Sequence, residues 1–444
     1  MAGPDGADPC RGERVDRISD WAERRAPAVV ATVAMLVAVM AFSMPEGHTL
    51  LHVGHGGVAT PGDLWSLARS SSVILQGHFS EIYLRHGALT SPPALEVALV
   101  PVIALGQVVG LSPHLHVSGE PLSMWFLLGP ASVLMASTVL FALDAVARQW
   151  RFSEQSRLVL ALVGAVGVGN VVQWWGHPED CVSVALVVWA ALTMDRAGTA
   201  GARRAAWLLG LGIAFQPLAL LAVVPVLARL SWRDAGRQVW RLALPSVVVL
   251  VPPLLAEPHR TLFVIVRQPF QTAYISLTPL TGLANHLAPG LDGGGYTRLA
   301  AIVISAVLAL VVCRRCPGLP VVMGMTAVAF FARVLLETEM NWYYLWPVPA
   351  LCLLLAMRRS GMRFGLCAGA LAVSIVLGDR RVHEIAVWWP ALMATVVLML
   401  LSAAPPPRRW PALWRRLTVT STTQDQPTRR VQTHGGTGRR VAAP

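Results

Sequence analysis

The placement of arginine between apolar runs constrains this chain more than any other feature. Apolar stretches of spanning length run near 26–44, 121–146, 157–175, 181–195, 239–256, 298–313, 319–336, 341–357, 362–378 and 385–403. A bilayer core asks for roughly 20 such residues per helix. Two further stretches are ambiguous. Residues 92–111 are apolar but start Pro92-Pro93 and carry Glu96 and Pro101, and residues 205–229 are interrupted at Gln216-Pro217. All 36 basic residues are arginine. Of these, 28 gather before residue 26, in the turns 147–157, 195–204 and 229–241, at Arg314-Arg315, at Arg358, Arg359 and Arg363, and in the tail. The positive-inside rule puts every one of these segments on the cytoplasmic side.

One topology satisfies that rule. The stretch 92–111 lies along the outer face without crossing, and 205–229 goes in and returns as two short half-helices with Gln216-Pro217 at the outer tip. Broken helices are tolerated where their free backbone groups face protein or a wet cavity. If 92–111 crossed, the turns 147–157 and 195–204 would both move outside. The external segments are then 45–120, the turn from Trp174 to Asp180, 257–297, and Glu337 to Asn341.

Composition narrows the class. Hydrophobic residues make up 55% and charged residues 14%, against roughly 25% charged in an ordinary soluble domain. This excludes a soluble enzyme, a disordered chain and a fibrous repeat. The net charge of +12 and pI of 10.6 would suit nucleic acid. The arginines sit in short loops and a tail, as at cytoplasmic membrane flanks, so no nucleic-acid partner is expected. The pair Cys313-Arg-Arg-Cys316 has no second pair nearby and reads as two thiols at a helix end. Pro45-Glu46-Gly47-His48 is not a small-residue cleavage site, so 26–44 is expected to be a retained first span.

The expected organisation is a cytoplasmic segment 1–25, a membrane core 26–256 with external loop 45–120, C-terminal membrane helices 257–404 with external loop 257–297, and a disordered basic cytoplasmic tail 405–444. The expected fold is all-α: a polytopic helical integral membrane protein of about 11–13 membrane helices, with juxtamembrane helices in the first external loop.

Chemistry belongs at the outer boundary. The first loop holds Glu46, Asp63, Glu81, Glu96 and Glu120. A carboxylate there serves as a general base if burial and a neighbouring charge tune it. Asp63 precedes a helical run, so N-capping is its rival role. In His177-Pro-Glu179-Asp180 an imidazole and two carboxylates sit between spans, a costly grouping unless it is used or wetted. Contact with substrate and capping of the next helix are both open for it. Trp174, Trp175, Trp342, Tyr343, Tyr344, Trp388 and Trp389 read as an interfacial belt. His48, His52 and His55 would share a helix face, but Gly47, Gly54, Gly56 and Gly57 argue against a helix there. Arg267 and Arg333 are candidates for an anionic ligand. Arg333 and Glu337 are also spaced i, i+4 for an internal ion pair.

In layout and local motif the chain resembles the GT-C superfamily of membrane glycosyltransferases. One span leads to a long external loop bearing an acid, in Asp63-Leu-Trp-Ser-Leu-Ala-Arg69 followed by Gln76-Gly77 and Ile82-Tyr83. A Pro-Pro helix follows at Pro92-Pro93-Ala-Leu, then an acidic turn at Gly176-His-Pro-Glu-Asp180, then a broken hairpin at Ala214-Phe-Gln-Pro-Leu218. That hairpin is similar to the tip in bacterial polyprenyl-phosphate mannosyltransferases. The likeness covers roughly residues 26–256. The first loop lacks a paired Asp-Glu or Asp-x-Asp, and the Gln216 position often holds Lys.

The resemblance implies an inverting transfer of a sugar, mannose or arabinofuranose, from a polyprenyl-phosphate donor to a hydroxyl of a cell-envelope glycan or lipid acceptor. It implies Asp63 as base, and His177, Glu179, Asp180, Gln216, Arg267 and Arg333 as substrate contacts. No cofactor is assigned by it, though a divalent cation is compatible with it. It further implies a multi-pass protein of the cell membrane, among membrane lipids, with both termini cytoplasmic. The alternatives are a transporter or lipid flippase, and a non-catalytic GT-C relative.

Overall fold

The computed structural model describes residues 9–42, 62–85, 92–111, 124–267, 278–279, 294–316, 318–337, 342–379 and 385–405. Among them there is helix and no strand. We label the principal helices α1 (Pro9–Phe42), α2 (Gly62–Leu75), α3 (Ala94–Val108), α4 (Trp125–Gln149), α5 (Glu154–Asn170), α6 (Pro178–Ala197), α7 (Ala202–Phe215), α8 (Leu220–Leu227), α9 (Val239–Ala256), α10 (Pro258–Arg267), α11 (Gly294–Arg315), α12 (Leu319–Leu335), α13 (Pro347–Arg359), α14 (Gly361–Asp379) and α15 (Ile385–Ala403). Contacts divide the chain into two units, residues 1–404 and 405–444, and the helices above belong to the first.

Seven of the helical segments described are long and apolar enough to cross a membrane. The protein is a membrane-embedded, multi-pass helical protein. Four shorter apolar helices accompany the seven, and the longest span, Pro178–Phe215, is itself two arms that fold back on each other. Length alone therefore returns fewer spans than the 11–13 expected, because hairpin arms are short or fused.

The bundle has two chemically distinct ends. At one, Asp144 is buried between Arg25 (3.0 Å) and Arg157 (2.7 Å). Gln149 donates to Asp195 and accepts from Arg196. Arg314 donates to the carbonyl of Ala228, and the Arg358 guanidinium lies 4.5 Å from the Trp150 ring centroid. These contacts collect the arginine turns on one side. The acidic turn 177–180 and Gln216 lie at the other end.

Helix α3 decides the first-loop topology. The carbonyl of Glu96, in its first turn, accepts from Ser71 on α2 at 2.9 Å. A Cβ on Gly106, in its last turn, would run into Met124, which precedes α4. Both ends of α3 therefore lie at the acidic end. A crossing helix would have carried Gly106 roughly 15 Å towards the arginines at 1.5 Å per residue.

Pro217 sets the hairpin break. A residue before proline is pushed out of the helical region, and Gln216 adopts φ −154°, ψ 122° and ends α7. The carbonyl of Gln216 accepts from the Ala219 backbone N–H and from the Ser183 hydroxyl. Between α5 and α6 the chain widens into a single π turn, Val171–Trp175, and reverses through Gly176 at φ 72°. Turns of this kind recur at functional sites. With no hydrophobic drive between helices in lipid, close approach of small residues takes over. Ala136, Ala142, Ala190 and Ala205 are fully buried, and Gly210 lets α7 meet the backbone of α9 at Arg241.

Candidate functional site

The site is built on His177. Pro178 at the first position of α6 leaves His177 just outside the helix, with its side chain buried. Its Nδ1 lies 2.6 Å from Glu179 Oε1 and its Nε2 lies 2.8 Å from Asp63 Oδ2. With both carboxylates ionised they only accept, so both ring nitrogens donate and the ring is held as an imidazolium. Burial alone would push the His177 pKa down. The Glu179 charge beside it and the hydrogen bonds to Asp63 and Glu179 outweigh this and hold it well above its ordinary value.

Asp63 comes from α2. The helix begins at Gly62, so Asp63 lies within its first turn and is not the residue before it. Its side chain is 58% exposed although its partner is buried. Desolvation works against the charged form, but the His177 hydrogen bond and charge prevail and lower its pKa. Oδ2 is engaged and Oδ1 carries no hydrogen bond among the described residues, so one oxygen is anchored and the other remains to accept.

Asp180, buried one position along α6, accepts from the Gln216 side-chain amide at 2.7 Å. The loop helix, the acidic turn and the hairpin tip are thus joined by two hydrogen bonds, one through His177 and one through Asp180. Sequence reasoning named all five of these side chains, and the structure brings them together. Arg333 lies 3.4 Å from Glu337, in the i, i+4 pair that the spacing allowed, and its charge also acts on Asp180. Arg267 ends α10, and its side chain lies outside the described residues. So do His48, His52, His55, Glu46 and Glu120.

Several residues take places that the sequence reading did not assign to them. Tyr343 and Trp342 are buried and so do not form an interfacial belt. Tyr343 stacks on His177 with ring centroids 3.8 Å apart and planes 18° apart. Arg298 grips the fully buried Glu337 at 2.8 Å and is the second cation of that cluster. Glu96 is buried with Oε1 unpartnered, and burial, reinforced by the Glu179 charge, pushes its pKa up to about 8. A lone carboxylate in an apolar juxtamembrane helix was the available signal for Glu96. For Tyr343 there was none, since an aromatic run after a span looks the same in either role.

Among the described residues no group of three or more His, Cys, Asp or Glu side chains is arranged to hold a metal ion. No protein-family model matches the chain, and no curated protein matches it.

Proposed function

We propose that the protein is an inverting membrane glycosyltransferase of GT-C type. It moves a sugar, with mannose and arabinofuranose the first to try, from a polyprenyl-phosphate donor to an acceptor hydroxyl of a cell-envelope glycan or lipid. The arginine end faces the cytoplasm, with the chain crossing about a dozen times, and the Asp63 end faces outward. The observation that carries the reading is the hydrogen bond from buried His177 to exposed Asp63, which anchors one carboxylate oxygen and leaves the other for a substrate. Asp63 Oδ1 takes the acceptor proton as the acceptor oxygen bonds to the anomeric carbon. The bond from that carbon to the phosphate oxygen breaks, and polyprenyl phosphate leaves with the electron pair. Charge growing on the phosphate is met by cations at that end, for which His177 and the Arg333–Arg298 cluster are the candidates.

The test is incubation of the purified protein in liposomes with polyprenyl phosphates carrying radiolabelled mannose or arabinofuranose, beside Asp63→Asn. Label passing to a hydroxyl acceptor with wild type and not with the variant supports the reading. Wild-type transfer by the variant removes Asp63 as base. Facilitated movement of the lipid across the bilayer without transfer would favour the flippase.

A further inference from the structure

His177 is set by three contacts, and only two of them are polar. Both ring N–H vectors lie in the imidazole plane, so a carboxylate meets them at 2.6 and 2.8 Å only while that plane is fixed. The third contact is Tyr343, flat against the ring and itself 6% exposed. Tyr344 packs edge-on against Tyr343 at 4.4 Å, Trp175 packs against it at 5.5 Å, and the Arg333 guanidinium lies 4.9 Å from the Tyr344 ring centroid. The Tyr343 ring is therefore held by two further aromatic rings as well as by His177. A cation over a tyrosine face is attracted by the ring quadrupole, more strongly where water is excluded.

We propose that Tyr343 is a positioning residue: its ring face holds His177 as an in-plane cation, and through His177 it fixes Asp63 Oδ2 so that Oδ1 points to substrate. The proposal rests on the reading of Asp63 as the base. The other charged or titratable groups about the imidazole are Asp63 from α2, Glu96 from α3, Glu179 and Asp180 from α6, and Tyr344 and Arg333 behind Tyr343. Asp63 and Glu179 meet the ring nitrogens, and Tyr343 is the group that stacks on its face. The role is distinct from filling space, because it depends on the electron density of the ring and not on its volume.

The experiment follows the His177 titration by nitrogen NMR in the full chain, labelled at histidine and held in lipid nanodiscs, with His177→Gln to assign the signal. Position 343 carries in turn Tyr, Phe, and phenylalanines with one, two and three ring fluorines. Fluorine keeps the shape while draining the face, so every variant retains the packing. The His177 midpoint is expected to stay near wild type with Phe and to fall stepwise with fluorination. The full series should lower it by about one unit, the shift that roughly 1.4 kcal/mol of lost cation–π attraction produces. A midpoint indifferent to fluorine overturns the proposal and leaves Tyr343 as packing. No substrate enters this measurement. It can fail while Asp63→Asn still abolishes transfer, and it can succeed if transfer is never found.

Discussion

The Gln216 side-chain amide donates to Asp180 across 2.7 Å, tying the tip of a broken hairpin to the acidic turn 36 residues earlier. Both side chains are buried. The break at Pro217 exposes backbone that needs partners and at the same time carries a donor to a carboxylate that needs one. Removing that donor leaves a buried acceptor short of a hydrogen bond, which costs about 1–3 kcal/mol, and more where the acceptor is charged. Gln216→Leu is expected to lower the melting temperature by several degrees, while Gln216→Asn retains part of the bond. Thermal unfolding in detergent followed by helical circular dichroism decides it, and equal melting of the leucine variant and wild type would mean the bond contributes nothing.

Asp63 separates two roles cleanly. Asp63→Asn keeps an oxygen to accept from His177 but removes basicity near neutral pH, so turnover should fall by about 10²–10⁴-fold, the usual worth of a general base. A charge in the first turn of a helix is worth about 0.3–1 kcal/mol and a half-exposed ion pair about as much, so stability should fall by no more than about 2 kcal/mol. Initial rates at saturating donor, together with melting curves, read out both halves. A large loss of stability with intact turnover would make Asp63 a structural residue.

Glu96 makes stability depend on pH with a defined sign. Its pKa in the folded protein is pushed up to about 8 from an ordinary 4.5. Between those values the folded state keeps a proton that the unfolded state has released, so stability falls as pH rises. At about 1.36 kcal/mol per unit the full swing approaches roughly 5 kcal/mol. Glu96→Gln should therefore melt close to wild type near pH 4.5 and clearly above it at pH 8. Parallel wild-type and variant curves across that range would refute the buried, uncharged state of Glu96.

Two glycines on α14 make an internal control. A Cβ on Gly378 would collide with the Trp342 ring, whereas one on Gly369 meets nothing within 4 Å. Trp342 is anchored by its Nε1 donating to Ser374, so it cannot easily yield. Gly378→Ala is expected to cost about 1–3 kcal/mol by overpacking, and Gly369→Ala to be neutral or slightly stabilising through helix propensity. Melting temperatures that fall equally in the two variants would contradict this packing.

Topology gives the broadest check. A cysteine at Val108, 83% exposed at the end of α3, should react with an impermeant maleimide added outside intact cells. One at Arg151, in the arginine turn after α4, should react only after permeabilisation. These reactions are run in a background with the native cysteines replaced. Labelling of both positions from the same side would put α3 across the membrane and remove the basis for an outward site.

By itself the sequence determined what local physics encodes. Apolar runs mark the helices, Gln216-Pro217 marks the break, and the arginine turns require one shared end whatever the packing, because charge cost at the bilayer acts on each segment separately. The candidates Asp63, His177, Glu179, Asp180 and Gln216 were legible because polar groups at the end of an apolar bundle have few harmless explanations. Tertiary structure alone decided their partners. Asp63 meets His177 from 114 residues away, Glu337 takes Arg298 as well as its i, i+4 neighbour, and the Tyr343 ring turns inward onto an imidazolium when a belt position was expected. Such pairs depend on which helix faces meet and at what angle, and in lipid that is settled by close packing of small residues such as Gly210 and Ala205, which periodicity does not reveal.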